Sequence, residues 1–206
     1  MARGRSPDFD ATRDKILAQA ARLFANKGFP GTSMNEVAEA CEVSKPTLYH
    51  YVRDKHELLV QICESHVASL ETLTDEVRAQ GLEPEAHLRA LILRFVREYG
   101  AAQHEHRVLT EDVKFIEAEA RERLRAVERR VVAAFADAVA AVRPELGDSR
   151  LHKPLTMLLF GMINWTFTWL RPDGELSYDD VAPMVVELFF GGMGAVQAPQ
   201  HLETTQ

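Results

Sequence analysis

Cysteine is nearly absent: two residues in 206, Cys41 and Cys63, with no CxxC pairing between or beside them. That argues against a disulfide framework or a thiolate zinc cluster and favours a reducing, cytoplasmic setting. The opening MARGRSPDFD lacks the apolar run of a signal peptide. Long apolar runs are missing too. The most apolar stretch, Leu155–Leu170 (LTMLLFGMINWTFTWL), carries two threonines and an asparagine in 16 residues, short of the ~20 apolar residues a membrane span needs. It reads as a buried helix, with no membrane partner. Sustained strand-like alternation, internal repeats, a glycine-rich phosphate loop and a Ser-His-Asp set are all wanting, so catalysis and a cofactor are not expected.

Positive charge is scarce overall but unevenly placed. Residues 1–56 hold nine Lys/Arg against seven Asp/Glu, a net of +2, whereas residues 57–206 hold 15 against 24, a net of −9. Such a chain is no general polyanion binder. It suits one that touches nucleic acid through its N-terminal part alone.

What is present is helical periodicity almost throughout, hence an all-α chain with 46% hydrophobic residues to build a core. Ile16, Ala20, Leu23 and Phe24 recur at helical spacing, and Gly28 follows as a stop. Met34, Val37, Ala38 and Cys41 repeat the pattern behind a Ser33–Glu36 capping box, and Asp54 with Glu57 makes an acidic variant. Leu88, Leu91, Ile92, Phe95 and Tyr99 share a face. Leu124, Val127, Val131, Phe135, Ala138 and Val142 form a longer stripe that stops at Pro144. Met184, Val185, Leu188 and Phe189 mark a last helix, started either by Ser177 with a kink at Pro183 or by Asp180 without one. Breaks fall near Gly81–Pro84, Pro144–Asp148 and Pro172–Gly174, and residues 199–206 read as a disordered tail.

Met34–Cys41, the connection Glu42-Val43 and Ser44–Val52 form two short helices joined tightly, a helix-turn-helix whose second helix can enter a major groove. Ser44 caps that helix and puts Pro46 in its first turn, where a missing N–H costs little. At 100° per residue, Leu48 and Val52 point inward while Pro46, Thr47, Tyr49 and His50 spread over the other side. Tyr49 and Lys55 suit phosphate oxygens. Thr47 and His50 suit base edges, Lys45 suits guanine or phosphate, and the amides at Ser33 and Ser44 offer further phosphate sites.

Residues 16–59 resemble the N-terminal domain of the TetR family of transcriptional regulators. The motifs are Ala21, Leu23-Phe24, Gly28-Phe29, Gly31-Thr32-Ser33, Val37-Ala38, Val43-Ser44, Leu48-Tyr49-His50-Tyr51, and Lys55 with Leu58. The resemblance implies a homodimer that binds a double-stranded operator through a three-helix head, residues 1–56. It also implies a larger helical body, residues 57–198, that binds a small-molecule effector and dimerises through the last two helices. In that scheme Thr32, Ser33, Ser44, Lys45, Thr47, Tyr49, His50 and Lys55 occupy DNA-contacting positions. Three departures stand out. Glu42 occupies a turn position often held by glycine, at a penalty on the order of 1 kcal/mol if the backbone is left-handed there. Val52 replaces a phenylalanine, and Pro46 a small flexible residue.

In the body, Trp165 and Trp169 are spaced to share a helix face beside Asn164 and Arg171. A dimer core explains such aromatics. The segment LFGMINWTFTWLRPDGELS also resembles TetR-family regulators of fatty-acid, steroid and aromatic-acid breakdown. That likeness implies an acyl-coenzyme A effector or related acid, for instance an aromatic thioester such as phenylacetyl-CoA. Phe95, Tyr99, Phe115, Met157, Phe160, Trp165 and Trp169 are then candidates for the acyl part, with Asn164 as a polar ligand-binding candidate beside them, and Arg97, Arg107, Lys114 and Arg171 for the phosphates. His104-Glu105-His106 lacks the spacing and third ligand of a helical zinc site and reads as a solvated connection, so no metal is expected. Glu117, Glu119 and Glu122 with Arg121, Arg123 and Arg125 read as an exposed charged face. Two rival functions remain: a helical protein–protein interaction module without DNA binding, and an efflux regulator answering a hydrophobic drug-like ligand.

Overall fold

The computed structural model describes residues 7–146, 151–171 and 173–196, and among these there are helices and turns but no strand. Among the described residues nine α-helices follow one another: α1 (Pro7–Lys27), α2 (Met34–Ala40), α3 (Lys45–Leu48), α4 (Lys55–Arg78), α5 (Pro84–Ala101), α6 (Gln103–Asp112), α7 (Ala118–Val142), α8 (His152–Asn164) and α9 (Tyr178–Met193). The tail from residue 199, and Pro172 in the last expected break, lie outside the described residues.

Two compact units emerge, and they are not divided linearly. The first comprises residues 1–68 and 102–125, the second residues 69–101 and 126–206. The expected boundary at residue 56 therefore falls near the start of α4, and α6 joins the N-terminal unit because it packs along α1.

In the first unit Ile16, Ala20 and Phe24 of α1, Val37, Ala38 and Cys41, and Leu48 and Val52 are all buried, with α1 packed against α2 and α2 against α3. Helix α1 ends where Gly28 turns to φ 76°, and the Ser33–Glu36 capping box starts α2. In the second unit α5 packs against α9, and both contact α8. Leu88, Leu91, Ile92 and Phe95 of α5 and Phe135 of α7 are sealed from solvent. The question at α9 resolves in favour of Ser177. Its hydroxyl accepts from the Asp180 N–H at 3.2 Å while Asp180 accepts from the Ser177 N–H at 2.9 Å, and Pro183 lies inside the helix.

The apolar stretch Leu155–Leu170 is not one buried helix. Regular helix ends at Asn164, and residues 166–168 form a single 3-10 turn. Thr166 explains part of the break: its hydroxyl donates to the Ile163 carbonyl at 2.7 Å, a local bond that competes with helix continuation. Met157, Leu158, Trp165 and Trp169 are exposed. No helix among the described residues is long and apolar enough to cross a membrane.

Candidate nucleic-acid interface and aromatic core

Helix α3 is built from its cap outward. The Ser44 hydroxyl accepts from the Thr47 N–H at 3.2 Å and lies 2.7 Å from the Thr47 hydroxyl. Pro46 sits in the first turn, where it removes no intrahelical donor. Regular helix stops at Leu48, shorter than the expected span to Val52. The chain then tightens through bonds from His50 N–H to Thr47 and from Tyr51 N–H to Leu48, both at 3.0 Å. Leu48 and Val52 point into the core as expected, leaving Ser44, Lys45, Pro46, Tyr49 and His50 exposed and Thr47 half-buried. Tyr49 is 44% exposed. Tyr51 differs from its neighbour: its ring stacks on Phe9 of α1, centroids 4.6 Å apart at 26°. One tyrosine of the pair faces out and the other staples α3 to α1.

The turn before α3 carries the expected strain. Glu42 has φ 58°, the sole non-glycine with positive φ among the described residues. Its carboxylate meets Lys15 Nζ at 2.9 Å, and that bond holds it below the usual carboxylate range.

Thr32 and Lys55 are placed differently from the open face. Thr32 is buried, and its hydroxyl donates to the Gly28 carbonyl at 3.1 Å. Lys55 Nζ donates to the carbonyls of Phe29 and Thr32, each at 2.9 Å, and lies 4.5 Å from the Phe29 ring centroid. Both side chains are committed to holding the loop between α1 and α2. Ser33 is exposed, but its N–H donates to Glu36 at 2.8 Å, so that amide is already taken.

Phe29, so far only a motif residue, is an aromatic hub. Its ring meets Phe24, His56 and Phe115 at centroid distances of 5.3, 5.1 and 5.3 Å. Asp112 at the end of α6 accepts from the Phe29 N–H, and burial pushes its carboxyl upward against that bond. Phe115, expected in the effector cavity, therefore belongs to the first unit. The other lining candidates lie in the second.

His106 is another correction. The triplet His104–His106 lies inside α6, not in a solvated connection, and His106 is buried against His66 of α4, Nε2 to Nδ1 at 3.4 Å. Burial, reinforced by the facing imidazole, pushes His66 down to about 3. The described residues contain no group of three metal-ligating side chains.

In the second unit Phe135 lies 4.6 Å from Phe95 and 4.9 Å from Phe160, and Tyr99 joins them through Phe95 at 6.1 Å. Burial pushes the Tyr99 phenol upward. Met157, Trp165 and Trp169 lie on the surface instead, the tryptophans 63% and 54% exposed and separated by the 3-10 turn rather than sharing a helix face. Asn164 is half-buried at the end of α8, and Arg171 is exposed. Arg97 pairs with Asp179 at 2.6 Å, and Arg107 with Glu111 at 3.1 Å. Lys114 lies over the Phe115 ring. Arg123 joins Glu64 at 3.0 Å and Glu119 at 3.6 Å on the charged face of α7.

Residues 16–62 match the profile for bacterial regulatory proteins of the tetR family, and residues 81–193 that for the tetracyclin repressor-like C-terminal domain. A TetR-family transcriptional regulator from Bordetella parapertussis 12822 superposes with a TM-score of 0.81 at 34% identity, covering 91% of this chain and 98% of that one. AibR, solved in complex with isovaleryl coenzyme A and operator DNA, superposes with a TM-score of 0.73 at 27% identity, over 86% and 97%. The repressor KstR2 of Rhodococcus jostii is 24% identical over 89% of this chain and 91% of its own length. The chain spans about half the length of another relative, the probable regulator YttP of Bacillus subtilis, at 31% identity over 48% of this chain and 47% of that one.

Proposed function

Because this chain belongs to the TetR family of bacterial regulatory proteins, we propose that it is a cytoplasmic repressor released from its operator by an acyl-CoA thioester. The observation that carries the DNA half is the outward set on α3: Lys45, Pro46, Tyr49 and His50 exposed, and Thr47 at their edge, on a segment whose Leu48 and Val52 are locked in the core. A rigid scaffold presenting polar tips is what groove reading requires. Tyr49 and Lys45 take phosphates, and Thr47 and His50 reach base edges. Ser33 and Ser44 lie at the rim, while Thr32 and Lys55 act by fixing the loop that sets the helix angle. Tyr49→Phe should weaken binding to all sequences alike. Thr47→Ala or His50→Ala should shift sequence preference, at about 1–3 kcal/mol per lost base contact. Fluorescence anisotropy with DNA from the promoter beside its own gene checks both, and unchanged binding in all three variants contradicts the placement of α3.

The ligand half rests on the aromatic group of Phe95, Tyr99, Phe135 and Phe160. Their rings touch, so an acyl chain entering there must part α5, α7 and α8. A ligand that favours the parted state must weaken DNA binding by the same factor, typically 1–3 kcal/mol of coupling. AibR's complex with isovaleryl coenzyme A and operator DNA supports this class of effector. The exposed Met157, Leu158 and Trp165 with Met184 and Leu188 form the surface through which two copies associate. Titrating isovaleryl-CoA and phenylacetyl-CoA into the operator complex tests the effector class. Release by either at micromolar concentration, but not by coenzyme A alone, supports it. Release only by a hydrophobic cationic drug favours the efflux reading.

A further inference from the structure

The first unit holds a cavity that neither the outward face of α3 nor the aromatic group of the second unit uses. It measures about 330 Å³, at the lower end of the range that small-molecule sites occupy. One wall is a face of α4 over its first three turns, where Glu57, Val60 and Glu64 recur at helical spacing. The other is the entry to α7. There Ile116 leaves the 3-10 turn with an extended backbone, ψ 136°, and Ala120 follows one turn into the helix. Every lining residue belongs to the first unit. Val60 is half-buried and Ile116 and Ala120 are buried, so the cavity has an apolar floor.

Charge decides what such a space accepts. Five carboxylates and two guanidiniums line it, a formal −3. Both guanidiniums are already engaged. Arg53 Nε meets Glu57 at 3.1 Å. Arg123 reaches Glu64 at 3.0 Å, tying α7 to α4 across the cavity, and Glu119 at 3.6 Å. Asp54 and Glu117 are exposed and have no ion-pair partner among the described residues. The phosphates of an acyl-CoA are repelled by this lining. A bound metal ion is disfavoured too, since no three ligating side chains converge among the described residues. A methylene chain on the floor with ammonium groups at the rim satisfies both the apolar surface and the unpaired carboxylates.

We propose that this cavity binds an aliphatic diamine or polyamine, its methylenes on Val60, Ile116 and Ala120 and its ammonium groups on Asp54 and Glu117. Asp54 also accepts from the Glu57 N–H at 2.8 Å, so the ligand meets the cap that starts α4, directly after the segment carrying α3. The site does not depend on the effector class proposed above. Spermidine is the probe, titrated by calorimetry into the full chain without DNA, which would itself bind the polyamine. Saturable binding of one spermidine per chain is expected, and a few millimolar MgCl2 should not displace it. Glu117→Gln should bind about fivefold more weakly, the scale of one exposed charge pair. Val60→Arg, which sets a guanidinium on the floor, should abolish binding, whereas Glu122→Gln, on α7 but outside the cavity, should bind as the wild type does. Unfolding of Val60→Arg would be seen by circular dichroism, and Glu117→Gln at the surface then decides alone. Absence of saturable binding overturns the proposal. So does displacement by MgCl2, or equal weakening by Glu117→Gln and Glu122→Gln, since either means diffuse attraction to an acidic protein.

Discussion

Single residues carry the sharpest consequences. Glu42 holds a left-handed turn that glycine adopts without a Cβ penalty. Glu42→Gly should therefore raise the thermal midpoint relative to Glu42→Gln, since both lose the Lys15 pair and only glycine relieves the backbone; equal midpoints contradict the strain. His66 has a folded-state value near 3 against an ordinary 6.5. Its contribution to stability is thus complete above about 6.5 and declines as pH falls toward 3, because the unfolded chain takes up the proton first. Between pH 7 and pH 5 urea denaturation should show the wild type losing about 2 kcal/mol more than His66→Gln, at roughly 1.4 kcal/mol per unit. Equal losses would show that this imidazole is not held neutral by burial. Neither the His66–His106 contact nor the Phe29 hub was legible in the sequence, since 40 residues separate the histidines and 86 separate Phe29 from Phe115. The left-handed turn at Glu42 was legible only through the family resemblance, which puts a glycine at that position, and φ 58° bears it out.

Among elements, the short ones were the clearest in sequence and the apolar ones the least. Capping at Ser33 and Ser44 sets α2 and α3 through side-chain bonds three residues long, and local chemistry of that kind survives any tertiary context. The stretch around Trp165 misled because composition measures apolarity but not direction. Its Ile163 and Leu170 are buried while Trp165 and Trp169 face out. The junction of α5 with α9 gives a prediction at this scale. A Cβ at Gly100 would lie 2.6 Å from Cγ of Tyr178, beside the Arg97–Asp179 pair. Gly100→Ala should lower stability by about 1–3 kcal/mol through overpacking, outweighing the roughly 1 kcal/mol of helix propensity gained. A midpoint at or above the wild type's would mean that α9 shifts freely on α5.

For the molecule as a whole, the two-unit division was hidden from a linear reading, since α6 returns to α1 across a long insertion. The proposed function nonetheless reduces to association between copies and with DNA. Leu158 and Leu188 are each 67% exposed on the helices proposed to pair. Leu158→Asp/Leu188→Asp should sediment as a monomer and lose operator affinity without unfolding, because two half-sites then bind independently. A dimer in sedimentation velocity would move the interface elsewhere.

The most direct test of the central claim is the salt dependence of binding to the promoter fragment by the unmodified protein. Binding through phosphate contacts should give a straight log–log decline in affinity, and a slope about 1 unit shallower in Lys45→Ala. Binding that ignores salt, or a slope that Lys45→Ala leaves untouched, would contradict it.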